Sequence, residues 1–234
     1  MKGNPLKKSV QYGAALALVH LAACSPAAPD APATASPTAT AATPAADTRA
    51  VVVFGDSLFA GYNLPQDQGF APALQRVLAG QGVKANVFNA GVSGDTSAAG
   101  LQRLAFTLDG QARKPDLVIV GLGANDMLRG LDPADTRRNL DAILAELKQR
   151  EIPAMLTGMV AAPNMGADYA RQFNSIYPDL ARKYDLPLYP FFLDGVITDR
   201  TLLLADGIHP NAQGVAKIAT RVGPLVAREF APSR

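Results

Sequence analysis

Short, unbroken apolar runs recur along this chain, and each is followed by a segment whose apolar residues repeat at helical spacing. Ala50 to Phe54 and Leu117 to Leu122 are the clearest, rich in valine and without polar alternation. A strand buried on both faces reads this way, and such strands belong to parallel sheets covered by helices. Val83 to Phe88, Ala154 to Val160 and the short Pro187 to Pro190 supply three further strands. Gly69 to Ala79, Thr96 to Leu108, Pro133 to Arg150, Ala167 to Tyr184 and Ala212 to Arg228 carry helical periodicity. In Pro133 to Arg150, Leu140, Ile143, Leu144 and Leu147 fall on one face. Interruptions are expected at Pro178 and near Gly223-Pro224. The alternation predicts a three-layer α/β/α sandwich around a central, mainly parallel five-stranded sheet.

Ligands of such sheets bind at the carboxyl ends of the strands. Ser57, the pair Ser93-Gly94 and Asn125 each sit just past a predicted strand. The chain has two histidines. His20 falls in an apolar leader, which leaves His209 as the sole imidazole for chemistry near neutral pH. A serine hydroxyl is a poor nucleophile until a base takes its proton. His209 can be that base if Asp206, three residues earlier on a tight turn, reaches the other ring nitrogen. Pro210 biases His209 to an extended backbone and is expected to open the last helix at its first position. Acyl transfer also needs donors for the tetrahedral oxyanion. The N–H groups of Ser57 and Gly94 and the side-chain amide of Asn125 suit that role. Ser93 is a rival nucleophile, but its position in a Gly-Val-Ser-Gly turn suits it better to bracing that turn. Asp56 and Asp126 read as carboxylates that brace their loops.

Other chemistries fit poorly. Gly121-Leu122-Gly123 hints at a dinucleotide loop, but Asp126 stands where the third glycine belongs. Asp194, Asp199 and Asp206 suggest a metal only weakly, since no second histidine or paired cysteine accompanies them. No basic stripe interleaved with aromatics marks a nucleic-acid partner. With one cysteine no disulfide can form within the chain.

Taken in order, Gly55-Asp56-Ser57-Leu58, then Gly94, then Gly123-Ala124-Asn125-Asp126, then Asp206-Gly207-Ile208-His209-Pro210 resemble the four blocks of the SGNH, or GDSL, hydrolases. The runs Gly91 to Ser97, Gly123 to Gly130 and Ile176-Tyr177-Pro178 look most like the bacterial periplasmic thioesterase, lysophospholipase and arylesterase branch. The resemblance implies a flavodoxin-like fold and no cofactor. It implies Ser57 as nucleophile, His209 as base and Asp206 as its orienter. Ser57, Gly94 and Asn125 would be the oxyanion donors, with Gly91 as a fallback for Gly94. Ala124 departs from the glycine that near relatives often carry. The loop following the fourth strand helps bind acyl chains in that branch, which singles out Pro163, Asn164 and Tyr169, with Met159 and Met165 as adaptable apolar contacts. The substrate class is then an acyl ester or thioester. The alternatives are a carbohydrate O-deacetylase and a non-catalytic lipoprotein that binds acyl or glycan groups. The absence of tryptophan tilts against a glycan groove.

The N-terminus carries Lys2, Lys7 and Lys8 before an apolar stretch from Tyr12 to Ala23, too short to span a bilayer. Leu21-Ala22-Ala23-Cys24 resembles a bacterial lipobox, so residues 1–23 are expected to be a lipoprotein signal with Cys24 lipidated. Residues 24–48 are dominated by Ala, Pro, Thr and Ser and read as a disordered tether, about 70 Å long when extended. Residues 49–234 form the hydrolase domain. The formal charge of +2 falls by three, to −1, when the leader lysines are removed. The expectation is a monomer held on the periplasmic side of a membrane, with a soluble periplasmic or secreted protein as the alternative.

Overall fold

The computed structural model describes residues 48–231. The leader, Cys24 and almost all of the Ala/Pro/Thr-rich tether lie outside the described residues. In chain order the elements are β1 (Arg49–Gly55), α1 (Ser57–Ala60), α2 (Phe70–Gly80), β2 (Ala85–Gly91), α3 (Ser97–Asp109), β3 (Leu117–Gly121) and α4 (Ala124–Leu128). They continue with α5 (Pro133–Gln149), β4 (Ala154–Thr157), α6 (Ala167–Asn174), α7 (Ile176–Tyr184), β5 (Leu188–Tyr189) and α8 (Ala212–Arg228). The five strands are all parallel, in the order β2-β1-β3-β4-β5. Helices cover both faces: α2 packs against α8, while α3, α6 and α7 each pack against α5. The three-layer α/β/α expectation holds.

The order reverses between β1 and its neighbours, and a crevice for ligands opens at the carboxyl ends of strands around such a point. Val51 to Phe54 and Leu117 to Val120 are fully buried, which is why these runs show no polar alternation. At the carboxyl edge Gly55 stands between Gly91 and Gly121 in register. A Cβ on Gly55 or Gly121 would strike the Phe59 ring at 2.5 and 2.2 Å, and one on Gly91 would strike the backbone N of Ala60 at 2.2 Å. The missing side chains let α1, with Ser57 at its head, sit directly on the sheet. Phe59 is locked there against Phe70 and Phe192, with ring centroids 5.2 and 4.8 Å away.

Element boundaries depart from expectation where packing or turn chemistry intervenes. β2 starts at Ala85, because the Val83 N–H is drawn to the Leu78 carbonyl in the turn that closes α2. β4 ends at Thr157, and Met159 and Val160 leave the sheet for the cavity described below. The predicted helix from Ala167 splits at Ser175 and not at Pro178. Pro178 lies in the first turn of α7, where a missing N–H costs nothing. α8 runs unbroken past Pro224, because Gly223 seats against Val77 of α2 between the buried Val222 and Val226. Pro210 does not open that helix. Asn211 caps it by accepting from the N–H groups of Gln213 and Gly214, and Pro210 precedes the cap, paired with Leu203 in an isolated bridge.

Candidate active site

Ser57 is the first residue of α1, immediately after β1. Its N-cap, Asp56, accepts the Leu58 N–H on Oδ1 at 3.0 Å. His209 is fixed by the backbone on both sides: its carbonyl accepts from Leu204 N at 2.7 Å, and Asn211 N donates to Leu202 O at 2.9 Å. These two distant segments bring His209 Nε2 within 2.8 Å of Ser57 Oγ. On the far side of the ring, Nδ1 lies 2.8 Å from Asp206 Oδ2. The other carboxylate oxygen, Oδ1, accepts from His209 N at 3.0 Å and Ile208 N at 2.9 Å. Those backbone donors, His209 first, outweigh burial and hold the Asp206 carboxyl down at about 2. Serine, imidazole and an ionised carboxylate thus form one hydrogen-bonded line. The ring of Tyr62 lies over that of His209, centroids 4.4 Å apart.

The groups expected to serve as oxyanion donors stand beside this line. Gly94 has φ +86°, a left-handed conformation suited to glycine, and lines the same cavity as Ser57. Among the described residues, neither the Ser57 nor the Gly94 N–H donates to a protein acceptor. Gly91 drops out as a substitute because its N–H donates to Asn89 Oδ1 at 2.9 Å and its Cα is packed against α1. The Asn125 Nδ2 donates to Asp95 O at 2.9 Å, which orients the amide and leaves its second N–H available. Ala124 begins α4 without a left-handed φ, so its methyl is accommodated where a glycine was expected. Ser93 lines the cavity, but the imidazole is bonded to Ser57.

The bracing carboxylates are where the sequence suggested. Asp126 is buried and accepts from Ser97 N at 2.8 Å, Ser97 Oγ at 2.5 Å and Thr136 Oγ1 at 3.2 Å, tying α3, α4 and α5 together. Asp56 is 1% exposed, and its Oδ2 has no partner among the described residues. Burial, helped by the nearby charges of Asp126 and Asp95, pushes its carboxyl up to about 7 despite the Leu58 hydrogen bond. Tyr177, within the Ile-Tyr-Pro run, is fully buried and donates to Leu122 O at 2.9 Å, anchoring the chain just before Gly123.

Ser57, Gly94, Asn125 and His209 open onto one cavity of about 630 Å³. Its walls are mostly apolar, among them Leu58, Met127, Met159, Phe191, Leu193 and Ile197. Of the loop residues singled out for substrate, Pro163 lines it and Asn164 and Tyr169 do not. Tyr169 instead stacks on Phe173 at 5.8 Å and, like Met165, packs against the core. Asp194 pairs with Arg221 at 2.5 Å, and Asp199 accepts from Thr201 N at 3.0 Å and Oγ1 at 2.6 Å. No cluster of three His, Cys, Asp or Glu side chains able to hold a metal occurs among the described residues.

A model of the family described as "GDSL-like Lipase/Acylhydrolase family" matches residues 53–217, a span containing every residue of the line above. The chain belongs to that family. It is 38% identical over 176 residues to the esterase TesA of Pseudomonas aeruginosa, covering 75% of this chain and 87% of that protein. It is 37% identical over 180 residues to an arylesterase of Vibrio mimicus, covering 77% and 89%. Among solved structures, AlinE4, an SGNH-hydrolase family esterase, superposes with a TM-score of 0.67 at 50% identity, over 79% of this chain and 98% of that one. Family membership, fold and geometry agree on a serine esterase of the SGNH type.

Within this GDSL-like framework, part of the cavity wall had no individual signal in the sequence. Tyr62, Met127, Leu128 and Phe191 come from short helices and turns with no periodic signal, and Ile208 hides between Gly207 and His209. Tyr62 alone had a usable signal, an aromatic directly after the Gly61 that ends α1.

Proposed function

We propose that this enzyme hydrolyses carboxylic esters or thioesters bearing an apolar acyl group, through an acyl-Ser57 intermediate. The observation that carries the reading is the line from Ser57 Oγ to His209 Nε2 and from His209 Nδ1 to Asp206, 2.8 Å at each step. As Ser57 Oγ attacks the carbonyl carbon, His209 Nε2 takes its proton, and Asp206 stabilises the imidazolium while fixing the tautomer. The developing oxyanion receives the N–H groups of Ser57 and Gly94 and the free N–H of Asn125. His209 then returns the proton to the departing alcohol or thiol. A water activated by the same imidazole releases the acid and restores Ser57. The apolar walls favour an acyl chain over a glycan. Arylesterase, acyl thioesterase and lysophospholipase activity all fall within this chemistry.

The same reading extends to the chain's setting: an exported monomer anchored to a membrane through lipidated Cys24, with residues 24–48 as tether. It rests on the lipobox-like run and the composition of the segment. Among the described residues no helix is long and apolar enough to cross a membrane. Labelling with radioactive palmitate tests it, with incorporation expected in the full chain and lost in Cys24→Ala.

The enzymatic proposal is tested with a series of acyl lengths on aryl esters, acyl thioesters and lysophospholipids. Turnover should rise as the chain lengthens to fill the cavity and should vanish in Ser57→Ala. A Ser57→Ala enzyme working at the wild-type rate would defeat it.

A further inference from the structure

One guanidinium joins the strand that delivers the nucleophile to the loop that carries Gly94. Arg103, on α3, donates from Nε to Asp95 Oδ2 at 2.6 Å and from Nη2 to Gly55 O at 2.9 Å. Its Cζ lies 4.1 Å from the centroid of the Phe54 ring. Gly55 is two residues before Ser57, and its carbonyl also accepts from Val92 N at 3.0 Å. Asp95 follows Gly94 directly, and its own carbonyl orients Asn125 at 2.9 Å. The side chains of Arg103 and Asp95 are 20% and 12% exposed, so water screens the pair poorly. Asp56, Asp95 and Asp126 are neighbouring carboxyls, each adjacent in sequence to one of Ser57, Gly94 and Asn125, and among the described residues Arg103 is the cation in salt-bridge contact with any of them.

We propose that Arg103 is a positioning residue for catalysis: it sets the distance between Ser57 and the donors Gly94 and Asn125, and it offsets the negative charge behind the site where the oxyanion forms. This rests on the esterase reading above. A planar fork is needed, because Nε and Nη2 serve two acceptors on different segments while the plane lies over a ring. Lysine cannot reproduce that arrangement. Without the guanidinium, the Asp95 carboxylate next to Gly94 loses its ion-pair partner, and the loop keeps only the backbone bond from Val92 N to Gly55 O as its tie to the end of β1.

The test is kcat and KM on a short-chain aryl ester, with enzyme counted by fluorophosphonate titration of the reactive serine. Arg103→Met should lower kcat per titrated site by about 30- to 100-fold, somewhat less than the loss of a whole donor. KM should stay within about twofold of wild type. Arg103→Lys should recover only a minor part of the loss, and ethylguanidinium ion should raise kcat of Arg103→Ala at concentrations that leave wild type unchanged. A double-mutant cycle with Asp95→Asn should be strongly non-additive in kcat. A residue that served only folding would lower the titratable fraction and the melting temperature with kcat per titrated site intact, and that result overturns the proposal. Should Arg103→Met fail to fold, Arg103→Lys decides: wild-type kcat there also overturns it. Failure of the esterase reading is separable, since wild type itself would then neither titrate nor turn over.

Discussion

Tyr62 covers His209 with ring planes tilted by 33° and centroids 4.4 Å apart. An aromatic face so close to the imidazole attracts it more strongly once it is a cation, which happens as the serine proton transfers. Exposed contacts of this kind contribute about 0.5–1 kcal/mol, and Tyr62 is 40% exposed. Tyr62→Phe should therefore keep kcat near wild type, while Tyr62→Leu should lower it by about two- to fivefold. Steady-state kinetics on one aryl ester check this, and equal losses in both variants would assign the effect to the hydroxyl.

Asp206 uses both oxygens, one on the ring and one on two backbone N–H groups. In Asp206→Asn the amide oxygen can keep the backbone bonds, which turns Nδ2 toward His209 and favours the wrong tautomer. A loss in kcat of about 10³–10⁴-fold is expected, with little change in melting temperature. Because the Asp206 carboxyl is held down at about 2, it stays ionised through moderately acid pH. Protonation of Asp206 therefore does not account for an acid-side fall in kcat/KM, and activity that stayed flat into acid pH would contradict the assignment of a general base.

Asp56 sets the sign of a pH effect on stability. Its folded value of about 7 stands above the ordinary 3.8. The native state therefore keeps a proton that the unfolded chain releases. The contribution is fully present below about 4 and is lost as pH rises through 7, at most about 1.4 kcal/mol per pH unit. Asp206, with its depressed value, acts oppositely and only below about 4. Asp56→Asn keeps an acceptor for Leu58 N and should flatten the stability profile between pH 4 and 7. Urea unfolding at several pH values measures this, and an unchanged slope would reject the assignment.

The sheet was legible because buried parallel strands leave uninterrupted apolar runs, and the hydrogen-bonded line of Ser57, His209 and Asp206 because each member sits in a short motif just past a strand or before a helix. Tyr62 and Phe191 were not legible, since a cavity wall assembled from loops leaves no period in the sequence. The substrate loop was legible in part. Pro163 reaches the cavity, whereas Tyr169 stacks on Phe173 and packs against the core. Pro178 and Pro224 show the limit of reading breaks from proline. One sits in a first turn and the other is overridden by packing of α8 on α2.

The central claim is that Ser57 is made nucleophilic by His209. Stoichiometric labelling with a fluorophosphonate, mapped by peptide mass spectrometry, tests it most directly. One label per chain on Ser57 is expected, with slowing by orders of magnitude in His209→Ala. Labelling at Ser93, or labelling of Ser57 at an undiminished rate without His209, would contradict it.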